Sequence, residues 1–61
     1  MPVVELKTLG KLSRQQKAEI TKRFTRTLQD VAGKDPQYVY VIIREIEPSN
    51  WGHAGELFSD R

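Results

Sequence analysis

The sequence predicts an α/β fold, a single βαβ unit with a short C-terminal hairpin, and predicts that the unit works inside an oligomer. Three observations carry this. The hydrophobic pattern alternates, then takes a helical period, then alternates again along the chain. The chain has 61 residues, so one domain spanning residues 1–61 is its ceiling. It has no cysteine and one histidine, which removes disulfides and nearly removes zinc as the staple a small domain needs. A chain of this size hides only about 60% of the surface that its unfolded form exposes. With little alanine or leucine for tight helix packing, association with other copies is the remaining source of stability.

Each element has a local cause. From Pro2 to Thr8, Val4 and Leu6 fall on one face and Val3, Glu5 and Lys7 on the other, the alternation of a half-buried strand. Leu9 to Leu12 is a connection. Ser13 followed by Gln16 is a capping box that opens a helix. Ile20, Phe24, Leu28 and Val31 then form a narrow apolar stripe over about 19 residues. Gly33 suits the left-handed stop of that helix, and Pro36 marks the break. Tyr38 to Ile46 is β-branched and aromatic, and apolar on both faces through Ile43. Strand, helix and strand in this order imply a right-handed crossover and parallel strands. One helix covers only one sheet face, so the apolar residues of the other must meet a second subunit. Pro48-Ser49-Asn50 is a turn, and Trp51 to Phe58, with its two glycines, is a short hairpin or arm.

Composition narrows the partners. The net charge is +2, but the cations are scattered from Lys7 to Arg61. That argues against the basic stripe of a nucleic-acid binder, despite a pI near 9.2. No apolar run approaches the length of a membrane span, and no signal-peptide core follows the start. The expectation is therefore a cytoplasmic protein without nucleic-acid or membrane partners.

Among the chemical constellations, most are missing. No nucleophile elbow surrounds Ser13, Ser49 or Ser59, and the glycines are too far apart for a phosphate loop. Glu45 and Glu47 share a face of the second strand, where a solvated edge is a better account than an acid–base pair. His53 sits in the glycine-flanked tail, suited to subunit contact or solvent. Pro2 is different. If Met1 is removed, its nitrogen becomes a secondary amine, which no side chain supplies. Burial and nearby cations lower the basicity of such an amine toward neutrality, where a base for proton abstraction beside a carbonyl works best. The ring also fixes φ, so the base is rigid.

The Met-Pro-Val start, the Ser13–Lys17 helix opening, the Val39–Glu45 strand and the Trp51-Gly52…Gly55-Glu56 tail occur in this order over essentially the whole chain. In that combination the sequence resembles the 4-oxalocrotonate tautomerase family. The resemblance implies two βαβ units dimerising into a four-stranded sheet, and a hexamer built as a trimer of dimers. It also implies cofactor-free interconversion of enol and keto forms of unsaturated 2-oxo acids. By that likeness Pro2 is the catalytic proline and Trp51 the aromatic lining an apolar pocket. The two family arginines that bind carboxylates fall on Leu12 and Tyr40. Substitute cations are Lys11, Arg14 and Arg44. Arg44 suits substrate binding or an interface ion pair equally, and Lys11 and Arg14 also suit a plain surface role. The Tyr40 hydroxyl can serve a substrate carbonyl or simply pack. The alternative function is a non-catalytic oligomeric scaffold of the same fold.

Overall fold

The computed structural model describes all 61 residues. Strand β1 (Val3–Leu9) and strand β2 (Tyr40–Ile46) lie parallel, with Val3 opposite Tyr40 and Leu9 opposite Ile46. Helix α1 (Arg14–Ala32) makes the crossover between them. Its start is the expected capping box. The Gln16 N–H donates to Ser13 Oγ at 3.1 Å, and the Ser13 N–H donates to Gln16 Oε1 at 2.9 Å. Together they satisfy two amide donors that a helix end leaves free. At the other end Gly33 takes φ 64°, a left-handed value that costs glycine nothing.

Two sequence expectations are corrected. The second strand begins at Tyr40, not Tyr38. Asp35 caps a 3₁₀ turn over Pro36–Tyr38, accepting the Gln37 N–H at 3.0 Å on its side chain. The Asp-Pro pair thus overrides the β propensity of Tyr38 and Val39. The helix stripe also stops early: Ile20, Phe24 and Leu28 are half-buried, but Val31 is 83% exposed. The helix simply outruns the two short strands beneath it.

The sheet has one covered face and one open face. Val4, Leu6, Val41 and Ile43 are half-buried on the helix side. Val3, Glu5, Lys7, Tyr40, Ile42 and Arg44 are exposed on the other, as strand alternation requires. Beyond β2, a 3₁₀ turn (Pro48–Asn50) leads into an antiparallel hairpin of β3 (Gly52–His53) and β4 (Glu56–Leu57). Its two-residue loop, Ala54-Gly55, has φ 53° and 83°, the signs that a type I′ turn demands at both positions.

No residue is fully buried in the single chain, whose accessible surface is 4947 Å². A compact monomer of 7.0 kDa exposes about 4,000 Å². The radius of gyration is 14.7 Å, against about 10.5 Å for a compact domain of this length. The excess surface is close to what one partner contributes to a standard protein interface, about 800 Å².

Candidate active site

Pro2 is held rather than frayed. The Tyr40 N–H donates to the Pro2 carbonyl at 3.0 Å, which extends the parallel ladder one residue upstream of β1. Pro2 is half-buried, while Met1 beyond it is 84% exposed. The proline ring therefore sits at a fixed point at the N-terminal end of the sheet, beside Tyr40.

The candidate cations sit at the opposite end. Parallel strands put both starts together and both finishes together. A seven-residue strand spans about 20 Å at 3.3 Å per residue. Lys11 follows β1, Arg14 opens α1, and Arg44 lies near the end of β2. Lys11 and Arg14 take part in none of the chain's ion pairs. Arg44 donates through Nε to Glu5 Oε2 at 2.7 Å, and its terminal nitrogens make no hydrogen bond within the chain. That bond from Arg44, with help from the Lys7 charge, holds the Glu5 carboxyl below its ordinary value. Arg44 thus stands on the same face as Tyr40, as the strand alternation predicts, but four residues further along.

Glu45 has two partners that the sequence does not show. It is exposed near the strand end, as the sequence suggests, and Glu47 does not share its strand, since Glu47 lies outside β2 at the head of the following 3₁₀ turn. Glu45 Oε2 accepts the Leu12 N–H at 2.8 Å, and Oε1 accepts from Lys17 Nζ at 2.7 Å. These two bonds, the lysine's first, lower its carboxyl below the ordinary range. No local pattern announces this, because the partners lie 33 and 28 residues away in sequence. The signal lies only in the register, which sets Glu45 opposite Thr8 and close to the β1–α1 connection.

Trp51 belongs to an arm that closes on itself. Its ring stands 6.3 Å from Phe58 at a 56° tilt, and its carbonyl accepts the Phe58 N–H at 2.9 Å. The guanidinium of Arg61 lies 4.6 Å from the Phe58 ring centroid, a cation–π contact. His53 meets the same ring edge-on at 6.3 Å, and Arg61 Nη2 lies 3.2 Å from its Nδ1. His53 thus sits within this cluster, with no carboxylate or hydroxyl partner among the chain's hydrogen bonds. The chain's two surface concavities lie along α1, and neither is lined by Pro2, Tyr40, Arg44 or Trp51.

A half-buried proline fixed at the second position of a βαβ chain is the feature to compare with known proteins. The sequence model of the family described as tautomerase enzyme matches residues 2–61, beginning at that proline. The chain belongs to the tautomerase family. A probable tautomerase of Ralstonia nicotianae is 35% identical over 60 residues, covering 98% of this chain and 92% of the relative. The crystal structure of a 4-oxalocrotonate tautomerase homologue superposes with a TM-score of 0.90 at 30% identity, covering 100% of this chain and 97% of that one. A heterohexamer 4-oxalocrotonate tautomerase from Chloroflexus aurantiacus shares the fold at 23% identity, with a TM-score of 0.85 and coverage of 98% and 97%. As a tautomerase-family chain it is related to isomerases, and its βαβ unit with C-terminal strands is the fold of these neighbours. Within one tautomerase-family protomer, Pro2 and Tyr40 come together at one end of the sheet. Lys11, Arg14 and Arg44 gather toward the other end, and Trp51 leaves from there on the arm.

Proposed function

We propose that this chain is a cofactor-free tautomerase that interconverts the enol and keto forms, or the β,γ- and α,β-unsaturated forms, of a 2-oxo acid. Pro2, freed by removal of Met1, is the base and then the acid. Its nitrogen takes a proton from one position of the conjugated system and returns it to another, so atoms balance without any co-reactant. The carrying observation is the fixing of Pro2 by the Tyr40 amide at 3.0 Å, which gives the nitrogen a set position. The exposure of Met1 leaves that residue open to an aminopeptidase.

The site is shared between subunits. Pro2 and the cations of its own chain lie at opposite ends of the strands, further apart than a small 2-oxo acid can span. A partner sheet running antiparallel brings the finishing end of one chain to the starting end of the other. Two protomers joined in this way form a four-stranded sheet, and three such pairs make a hexamer. The missing burial of the single chain supports the assembly, and a relative of the same fold is a heterohexamer. A cation from a neighbour then holds the carboxylate and stabilises the developing enolate. Trp51 from another subunit keeps the pocket apolar and helps hold the amine neutral. Leu12 and Tyr40, at the positions of the family arginines, favour a substrate with one carboxylate and an apolar remainder.

Met-free protein is expected to ketonise phenylenolpyruvate, with its single carboxylate, in preference to the dicarboxylate 2-hydroxymuconate. Pro2→Ala, which leaves a flexible primary amine in place of the proline nitrogen, is expected to slow this at least about tenfold. Equal rates for the two proteins would end the proline mechanism. The loss of both family arginines favours one rival, a non-catalytic scaffold, and an intact native mass that includes Met1 would support it.

A further inference from the structure

We infer that Glu45 is a positioning residue that sets the β1–α1 connection, and with it Lys11, for binding a substrate carboxylate. This rests on the proposed tautomerase function and goes beyond it by naming what holds the connection in place.

The connection from Gly10 to Ser13 is pinned at two points. The Gly10 N–H donates to the Ile46 carbonyl at 3.1 Å. The Leu12 N–H donates to Glu45 Oε2 at 2.8 Å. Lys11 lies between these points and has no ion-pair partner of its own. Both acceptors belong to the end of β2, so the sheet itself fixes the backbone that carries Lys11. Hydrogen bonds to an ionised carboxylate are shorter and stronger than neutral ones, which suits Glu45 to this task better than a carbonyl. The second oxygen of Glu45 is occupied by Lys17 Nζ at 2.7 Å. That contact removes Lys17 from the pool of free cations and leaves the Oε2 bond to Leu12 untouched. Ordered this way, the connection presents one unpaired lysine, held by its backbone, at the end of the sheet that an antiparallel partner brings to Pro2. Preorganisation of this kind lowers the ordering cost of binding.

The test measures steady-state ketonisation of phenylenolpyruvate and equilibrium binding of 3-phenylpropanoate, an unreactive aryl carboxylate. It uses Met-free wild type, Glu45→Ala, Lys17→Met, Glu45→Gln and the double Glu45→Gln/Lys17→Met protein. For Glu45→Ala, KM and the 3-phenylpropanoate Kd are expected to rise about tenfold with kcat within about twofold, the split expected when an interaction common to bound and transition states is lost. Lys17→Met keeps the Leu12 bond and is expected to stay within about twofold of wild type in both readouts. Glu45→Gln sets an amide donor against Lys17 and is expected to weaken binding. The double protein removes that conflict and leaves an oxygen for Leu12, so it is expected to recover most of the lost affinity. The double protein also carries the test if Glu45→Ala fails to fold. A Glu45→Ala protein with wild-type Kd, a Lys17→Met protein as weak as Glu45→Ala, or no recovery in the double protein would each overturn the assignment. Absence of turnover in wild type would instead strike the proposed function, and the binding titration would still judge Glu45.

Discussion

The βαβ body and the C-terminal arm are built on different principles. The body, Val3–Ile46, is tied together across long sequence separations: a seven-residue parallel ladder, the Glu5–Arg44 pair, and Glu45 bonded to Leu12 and Lys17. The arm, Pro48–Arg61, is tied to itself. Its Phe58 is touched by Trp51, His53 and Arg61, all within the arm. A ladder of this kind fixes one geometry for the body. A small aromatic cluster fixes only the internal shape of the arm, and leaves its placement to whatever it packs against in an assembly. Under the proposed function, catalytic precision comes from the body, while the pocket wall comes from the arm, whose position neighbours would set.

Several substitutions press on this contrast. Phe24→Ala removes the middle of the apolar stripe and is expected to cost about 2–4 kcal/mol of folding stability. Denaturation at one fixed protomer concentration measures this, because oligomer stability depends on concentration. Phe58→Ala is expected to cost less, about 1–2 kcal/mol, and to speed amide hydrogen exchange in residues 51–61 while leaving β1 and β2 protected. Faster exchange throughout the body would show that the two regions are one cooperative unit. Ser13→Ala removes the helix cap and is expected to cost about 1 kcal/mol, read as a lower denaturation midpoint with the arm unaffected.

The hairpin offers a change in the other direction. Ala54 adopts a left-handed φ that strains a residue with a Cβ. Ala54→Asn is expected to stabilise the arm by about 0.5 kcal/mol, since Asn-Gly is the favoured pair in this turn. Slower exchange confined to the hairpin would register it.

Acid gives the smallest effect, because the groups are exposed and exposed pairs contribute little. Glu5 and Glu45 have lowered values in the folded chain, from bonds with Arg44 and with Lys17 and the Leu12 amide. The unfolded chain therefore binds more protons in that range, so stability rises with pH there. The contribution is full above the ordinary glutamate value, about 4.3, and fades as pH falls through the lowered folded values. A Glu5→Gln/Glu45→Gln protein is expected to show a flatter stability profile on acidification, measured by denaturation midpoint against pH.

Much of the body was legible because its causes are local. Ser13 and Gln16 stand three residues apart, so the capping box needs no tertiary help. Gly33 and Pro36 stop the helix by backbone chemistry alone. The alternation through Val4 and Leu6 sorted covered from open residues correctly. The misjudged points share another character. Tyr38 and Val39 carry β propensity, but Asp35 and Pro36 turn the chain before a ladder partner is reached. Val31 continues the apolar stripe into a region where there is no strand to cover. Glu45 is the exposed carboxylate that the sequence suggests, but only the register reveals its bonds to Leu12 and Lys17.

Of the candidate site, Pro2 was readable because a secondary amine has a chemical identity that sequence displays. The placement of the cations was not. Lys11, Arg14 and Arg44 all carry the right charge, and charge alone does not say which end of a sheet each occupies. By itself the sequence determined the elements, their order and the chemical groups on offer, since these follow from periodicity, capping and side-chain type. Only the tertiary structure decided that Pro2 and those cations lie at opposite ends of one protomer. Parallel pairing sets that separation, and it involves residues about 40 positions apart, beyond the reach of any local rule.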